Sequence, residues 1–360
     1  MSPSALRAQF PVLARLAYLN SGTDGPLPAA AVRAVEEELG REAREGRAQS
    51  HFERRKELSE ALRTAYAGAL GCPTEDLALT TCTTEGIAQV ICGLQGLRPG
   101  DQILSSDEEH PGLLGALGAA RELHGVEIRL APFGELHEAL GPRTQLVACS
   151  HVSWITGRLA PAELAACDVP VLLDGAQGVG AIPVDVQALG CAAYAGAGQK
   201  WLCGPDGAGM LYVSPELRER LAVGRRAYMN LSDPGAGLDA KLHPDARRFD
   251  APALAAETLA CALAAITVLA DAGWAEVHER ARTLASQLAE LLLVAGREVV
   301  PRDATTLVSF SSPDPPGERA RLAAHGVVLR DIPGRPWLRA SVGAFNDEDD
   351  LERLRAALQP

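Results

Sequence analysis

The feature that most constrains this chain is its rhythm between Leu77 and Val213, where short apolar runs alternate with stretches of helical character. Leu77 to Thr80, Asp101 to Ser106, Val126 to Leu130, Gln145 to Ser150, Pro170 to Asp174, Ala192 to Ala195 and Gly207 to Val213 have the length and apolar content of buried strands. Glu85 to Leu94 and Leu113 to His124 read as helices between them. Parallel neighbours need such crossovers, whereas antiparallel ones can be joined by a tight turn. The pattern therefore predicts an α/β fold whose mainly parallel, seven-stranded sheet is covered on both faces by helices.

The flanks read differently. Ser4 to Leu13 predicts a short helix, Tyr18 to Pro28 (YLNSGTDGPLP) an extended entry rich in turns, and Ala29 to Leu70 a long helical stretch broken near Gly46 to Ser50. Gly224 to Pro252 is rich in Gly, Pro and Asp and reads as an inter-domain connection and an active-site loop. Beyond it, helices at Leu254 to Asp271 and Ala275 to Ala295, strands near Thr306 to Ser311, Val327 to Arg330 and Leu338 to Val342, and a last helix from Asp347 capped by Asn346 predict a smaller α+β unit. The expected organisation is an N-terminal segment (1–20) packed with the small domain, a large domain (21–245) and the small C-terminal domain (246–360).

A net charge of -12 and the lack of a basic stripe with interleaved aromatics exclude a nucleic-acid footprint and leave a small molecule as the expected partner. The eight cysteines are scattered, with no C-x-x-C pair and no histidines at ligand spacing, so reduced thiols in a cytoplasmic protein are expected and no metal site. No run reaches the roughly 20 apolar residues of a membrane span.

The chemistry concentrates in Val169 to Met210. Of the 34 basic residues only Lys56, Lys200 and Lys241 are lysines, and a chain so biased towards arginine keeps lysine where a guanidinium cannot serve, as in an imine to an aldehyde. Ligands of open parallel sheets bind outside the carboxyl ends of the strands. Asp174 ends the strand PVLLD there, and Lys200 follows after a spacing that allows a helical crossover and one more strand. A carboxylate so placed can pair with a protonated pyridine nitrogen, and a buried lysine has its pKa lowered towards a usable nucleophile. Thr83, Thr84 and Glu85 open a helix whose free N–H groups suit a phosphate. Gly196 and Gly198 do not complete a G-x-G-x-x-G, and no G-x-x-x-x-G-K-[ST] occurs. His110, after SSDEE, can stack on a flat ring, and His151 and Trp154 follow another strand. Arg339 can clamp an α-carboxylate through two hydrogen bonds.

Together YLNSGTDGPLP, TTCTTEGI, SSDEEHPG, SHVSWITGRLAP, LLDGAQGVGAIPVD, GAGQKWLCGPDGAGMLYV, DARRFD and LRASVGAFNDEDDLERL resemble, almost end to end, the class V aminotransferase and cysteine desulfurase-like group of fold-type I enzymes, in its isopenicillin N epimerase-like or C-S lyase-like branch. The resemblance implies pyridoxal 5'-phosphate as cofactor, with Lys200 bonded to its aldehyde, Asp174 at the ring nitrogen, Gln177 at the phenolic oxygen and His110 over the ring. It places Thr83, Thr84, Glu85 and Gln199 at the phosphate end, and Arg339, Asn20 and Trp154 with an amino-acid substrate. It also implies a homodimer.

Trp154 stands in the neighbourhood where desulfurases usually carry Asn, and three further departures separate this chain from the group. Ala197-Gly198-Gln199-Lys200 stands where relatives commonly have Ser-x-His-Lys, Asp250 is followed by Ala-Pro and not by Gly-Thr, and GVVLRDIPGRPWLR (Gly326 to Arg339) lacks the sulfur-accepting cysteine of desulfurases. The expected activity is therefore β-elimination from an amino acid, followed in order by transamination and epimerisation, with a binding protein that keeps the fold as the reading from another class.

Overall fold

The computed structural model describes residues 1–359. Its helices are α1 (Pro3–Arg7), α2 (Ala29–Glu45), α3 (Gln49–Leu70), α4 (Thr83–Gly93), α5 (Pro111–His124), α6 (Pro215–Arg218), α7 (Ala256–Ala272), α8 (Trp274–Val294), α9 (Pro315–Ala324) and α10 (Glu348–Ala357). Its strands are β1 (Ala17–Tyr18), β2 (Leu77–Thr80), β3 (Gln102–Ser106), β4 (Glu127–Ala131), β5 (Thr144–Ser150), β6 (Val171–Asp174), β7 (Ala193–Ala197), β8 (Gly209–Val213), β9 (Leu307–Ser311), β10 (Val327–Val328), β11 (Arg330–Asp331) and β12 (Trp337–Ser341).

Seven strands form the main sheet in the order β2-β8-β7-β6-β5-β3-β4. All neighbours from β7 to β4 run parallel, and β8 runs antiparallel to both β7 and β2. Because side chains alternate along a strand, Leu173 faces one side and Leu172 the other. Leu173, Tyr194 and Met210 pack with Leu62 and Tyr66 of α3 and Leu259 and Ile266 of α7. Leu172, Ala195 and Leu211 pack with Ile87 and Val90 of α4 and Leu113 and Leu117 of α5. The edge strand β4 carries Glu127 and Arg129 towards solvent, charges that discourage further strand pairing.

A three-stranded antiparallel sheet, β11-β12-β9, and the parallel pair β1-β10 make up the second unit. Its core joins Phe310, Leu338 and Leu351 to Leu284 and Leu288 of α8, and Ala17 and Leu19 from the N-terminal segment belong to it. Arg7 fastens the same segment to Asp350, with Nη1 2.7 Å from Oδ2.

Four features differ from the sequence reading. Helix α7, expected in the C-terminal unit, packs into the core of the large sheet, since Leu259, Ala260, Ala262 and Ile266 are all buried there. The connection from β6 to β7 holds no helix: residues 175–192 contain four glycines and Pro183, and a side chain at Gly175 would overlap the ring of Tyr194. Asn346 does not cap α10; Asp347 accepts from Asp350 N at 3.1 Å, while Asn346 bonds Gly343, Tyr18 and Asp350. Helix α9 begins on a Pro-Pro-Gly run to which the sequence reading assigns no element; proline suits the first turn, and Asp314 caps it.

Candidate active site

The carboxyl ends of β6 and β7, the start of α4, the turn before α5 and the strands β11 and β12 converge on one cavity of about 240 Å³. Its wall includes Thr83, Thr84, His110, Trp154, Asp174, Gln177, Gln199, Lys200 and Arg339, nine of the expected site residues.

Asp174 is the last residue of β6, and its Oδ1 accepts from Ala176 N at 2.9 Å. Burial lifts its carboxyl above the ordinary carboxylate range, against the pull of Lys200 and the Ala176 N–H. Burial likewise pushes the Lys200 amine below its ordinary value; Asp174 opposes the drop, and Arg339 adds to it. Burial thus disfavours the charge on each group: the acid is stabilised by a cationic N–H donor beside it, and the amine sheds its proton more readily than an exposed lysine. Lys56 and Lys241 are both exposed.

The Lys200 loop is held from outside. Gly25 N donates to Gln199 O at 2.7 Å, and a side chain at Gly25 would overlap Lys200 O. Cys203 closes the turn with φ 55°, the left-handed region that only it visits among the described non-glycine residues. Gln177 spans the same contact: Nε2 donates to Gly22 O at 2.7 Å, and Oε1 accepts from Trp201 Nε1 at 3.0 Å.

Helix α4 starts at Thr83, two residues earlier than its apolar periodicity shows, and its N-cap Cys82 supplies no side-chain bond. First-turn N–H groups therefore face the cavity beside the Thr83 hydroxyl, which is buried without a partner. Gln199 Oε1 and Trp154 Nε1 are buried and unpartnered too. The unused N–H and hydroxyl donors at the mouth of this 11-residue helix fit a phosphate, whereas the Gln199 oxygen is an acceptor and adds nothing to them.

His110 does two things. Its Nδ1 accepts from Gly112 N at 3.1 Å as the N-cap of α5, and its ring meets Trp154 edge-on, with centroids 5.1 Å apart. Burial, then Lys200, Arg330 and Arg339, push its pKa down to about 4, so it is neutral at neutral pH. Arg339 is fully buried, and among the described residues it has no carboxylate partner. Nη1 donates to Trp154 O at 2.8 Å, Nη2 lies 3.5 Å from Thr23 Oγ1, and Nε is unpaired. Burial, with Arg330 adding to it, pushes its pKa down to about 9. An uncompensated guanidinium in such a place is a receptor for an anion.

Two expected residues are not brought to the cavity wall. Glu85 turns away, its carboxylate held by Thr81 N at 2.6 Å, by the Thr81 hydroxyl and by Arg225. Asn20 bends back on its own turn and accepts from Thr23 Oγ1 at 2.8 Å. His151 is also elsewhere, 3.1 Å from Tyr194 Oη, and no residue of 224–252 lines the cavity. Asp250, which Ala-Pro follows, ties Arg63 to Leu79 N. Thr23, Asp24 and Arg330 line the wall without having been singled out. Asp24 lay in a stretch read only for its turns, and Arg330 was one arginine among many.

A lysine and an acid facing one cavity, with an anion seat at each end, define a site of the pyridoxal-phosphate type on a doubly covered sheet. The chain belongs to the aminotransferase class-V family, whose model matches residues 17–354, and is accordingly a pyridoxal-phosphate-dependent enzyme. It is 34% identical to a probable cysteine desulfurase of Pseudomonas aeruginosa over 99% of this chain and 97% of that one. It is 29% identical to isopenicillin N epimerase of Streptomyces clavuligerus over 94% and 93%. A solved complex of the cystine C-S lyase C-DES with its product cysteine persulfide superposes with a TM-score of 0.92 at 28% identity, covering 97% of this chain and 98% of that one.

Proposed function

We propose that this chain is a C-S lyase that acts at Cα of a sulfur-containing amino acid, with cystine as the substrate to try first. One observation carries the substrate class: the buried, unpaired Arg339 faces the same cavity as Lys200 and Asp174, a seat for the carboxylate of an α-amino acid. The cysteine-free segment from Gly326 to Arg339 favours elimination over a sulfur relay, and the likeness to the cystine lyase C-DES agrees.

The donors present fit the cofactor: Thr83, Thr84 and the start of α4 for its phosphate, with Gln199 alongside, Asp174 for its ring nitrogen and Lys200 for its aldehyde. Gln177 reaches the cavity between these and is assigned to the phenolic oxygen. When bound, pyridoxal phosphate supplies an aldehyde that takes up the substrate amine and a ring that accepts the electron pair left at Cα. Lys200, with its lowered pKa, removes the Cα proton and returns one later. Asp174 keeps the ring nitrogen protonated. Arg339 orients the substrate through its carboxylate, with Trp154 packed beside it. His110, neutral, lines the cavity wall and would pack against the ring when the cofactor is bound.

For cystine the balance is cystine plus water giving pyruvate, ammonia and cysteine persulfide. Incubation of the purified protein with cystine, assayed for pyruvate and ammonia, tests this; keto acid that appears only with an added acceptor would instead mark a transaminase. Epimerisation is the second reading, favoured by the likeness to isopenicillin N epimerase, and loss of optical activity without pyruvate would identify it. The separate cores around the two sheets support division into a large and a small domain. A homodimer and a cytoplasmic location belong to the same proposal: α2 exposes Val32 and Leu39, and all eight cysteines are free thiols.

A further inference from the structure

Glu109 precedes His110 but points away from the cavity and is 5% exposed. Its Oε1 accepts from the Ser106 hydroxyl and from Ser150 N at 3.1 Å. Its Oε2 accepts from Ser150 N at 2.9 Å and from the Ser150 hydroxyl at 2.6 Å. Ser106 ends β3, Ser150 ends β5, and Ser150 stands in register opposite Asp174 on β6. One carboxylate thus joins the turn that carries His110 to the strand end beside Asp174. No arginine or lysine pairs with it among the described residues. Burial pushes its pKa up to about 7, with Asp174 adding to the rise and the serines opposing it. A buried carboxyl without a cation is an expensive way to join two loops, since an apolar contact would be more stable.

We infer that Glu109 is a positioning residue: it fixes where the imidazole of His110 stands relative to the carboxylate of Asp174. The inference rests on the cavity being the pyridoxal-phosphate site. Misplacement of a group at a reacting centre by about 1 Å costs on the order of 100-fold in rate. Loss of the tie therefore acts on turnover, through His110, more than on substrate binding.

The test is a double-mutant cycle on the holoenzyme with Glu109→Ala, His110→Ala and the pair, read by steady-state kinetics and by the visible absorption of the bound cofactor. Glu109→Ala is expected to lower kcat by about 10- to 100-fold with KM changed less than about threefold. It is also expected to move the cofactor band in the same direction as His110→Ala, and the double variant should be no worse than His110→Ala. Glu109→Gln keeps an acceptor for Ser150 and a donor towards the serine hydroxyls, so it should stay within about threefold of the wild type. Losses that multiply in the double variant, a Gln variant as poor as Ala, or a wild-type spectrum and turnover in Glu109→Ala would each overturn the inference. If Glu109→Ala does not fold, the paired Ser106→Ala and Ser150→Ala substitutions remove the two hydroxyl ties and leave only Ser150 N, so kcat should fall in the same direction by a smaller factor with KM changed less than about threefold. A wild-type protein with no cofactor band would defeat the proposed function, whereas a normal band with multiplied losses would defeat this inference alone.

Discussion

Replacing Arg339 with methionine should separate stability from function, because the same burial that makes the guanidinium useful makes it costly. The side chain is fully buried, and among the described residues its only close hydrogen bond is to Trp154 O at 2.8 Å. The fall of its pKa from 12.5 to about 9 corresponds to roughly 5 kcal/mol of unfavourable charge burial at about 1.4 kcal/mol per factor of ten. Methionine removes that cost and leaves the Trp154 carbonyl unpaired, a penalty of about 1–3 kcal/mol. The apoprotein should therefore be more stable by about 2–4 kcal/mol, within the range seen when buried charges give way to apolar residues. For a chain of this size, each kcal/mol is worth about 1–2 °C in Tm. Two charge-assisted hydrogen bonds to a substrate carboxylate are worth about 3–5 kcal/mol, so kcat/KM should fall about 10²- to 10⁴-fold, mostly through KM. Calorimetry of the apoprotein and steady-state kinetics measure both. An Arg339→Met variant that turned over within about threefold of wild type, or whose apoprotein was less stable than the wild type, would refute the reasoning.

Other perturbations follow from the same geometry. Thr83→Val removes a hydroxyl with no protein partner, so cofactor affinity should weaken by about 5- to 30-fold while the Tm of the apoprotein stays within about a degree; fluorescence titration and calorimetry check it. Gly175→Ala drives a methyl into the Tyr194 ring and should cost about 2–3 kcal/mol or more in denaturant unfolding, with lost cofactor binding because Asp174 moves too. His110 holds its proton less tightly in the folded protein than in the unfolded chain. The stability this contributes is present above about pH 6.5 and is lost as pH falls through about 4. His110→Gln should flatten that limb of an acid unfolding curve.

Much of the site was legible in the sequence because the strands that present it are nearly uninterrupted apolar runs. Asp174 and Lys200 could be placed from VLLD and from the scarcity of lysine, since both the position and the chemistry of each residue are local properties. Where side chains turn depends on partners far along the chain, and there the reading failed. Glu85 follows Thr81 and Arg225 away from the cavity, and Asn20 closes its own turn. His110 is a helix cap as well as a cavity wall, and its sequence neighbourhood yields only the expectation that it stacks on a flat ring. The helix-free link after β6 was missed because spacing says how far a chain can travel, while Gly175 shows that the space beside the sheet is filled by Tyr194. Glu109 gave no signal, as its meaning lies in two serines at the ends of separate strands.

The central claim is that Lys200, alone among three lysines, bonds the cofactor. Borohydride reduction of the holoprotein followed by peptide mass mapping tests it most directly. The account predicts one phosphopyridoxyl group, on Lys200, and none on the Lys200→Ala variant. A label on Lys56 or Lys241, or no label on a protein that still makes pyruvate from cystine, would contradict it.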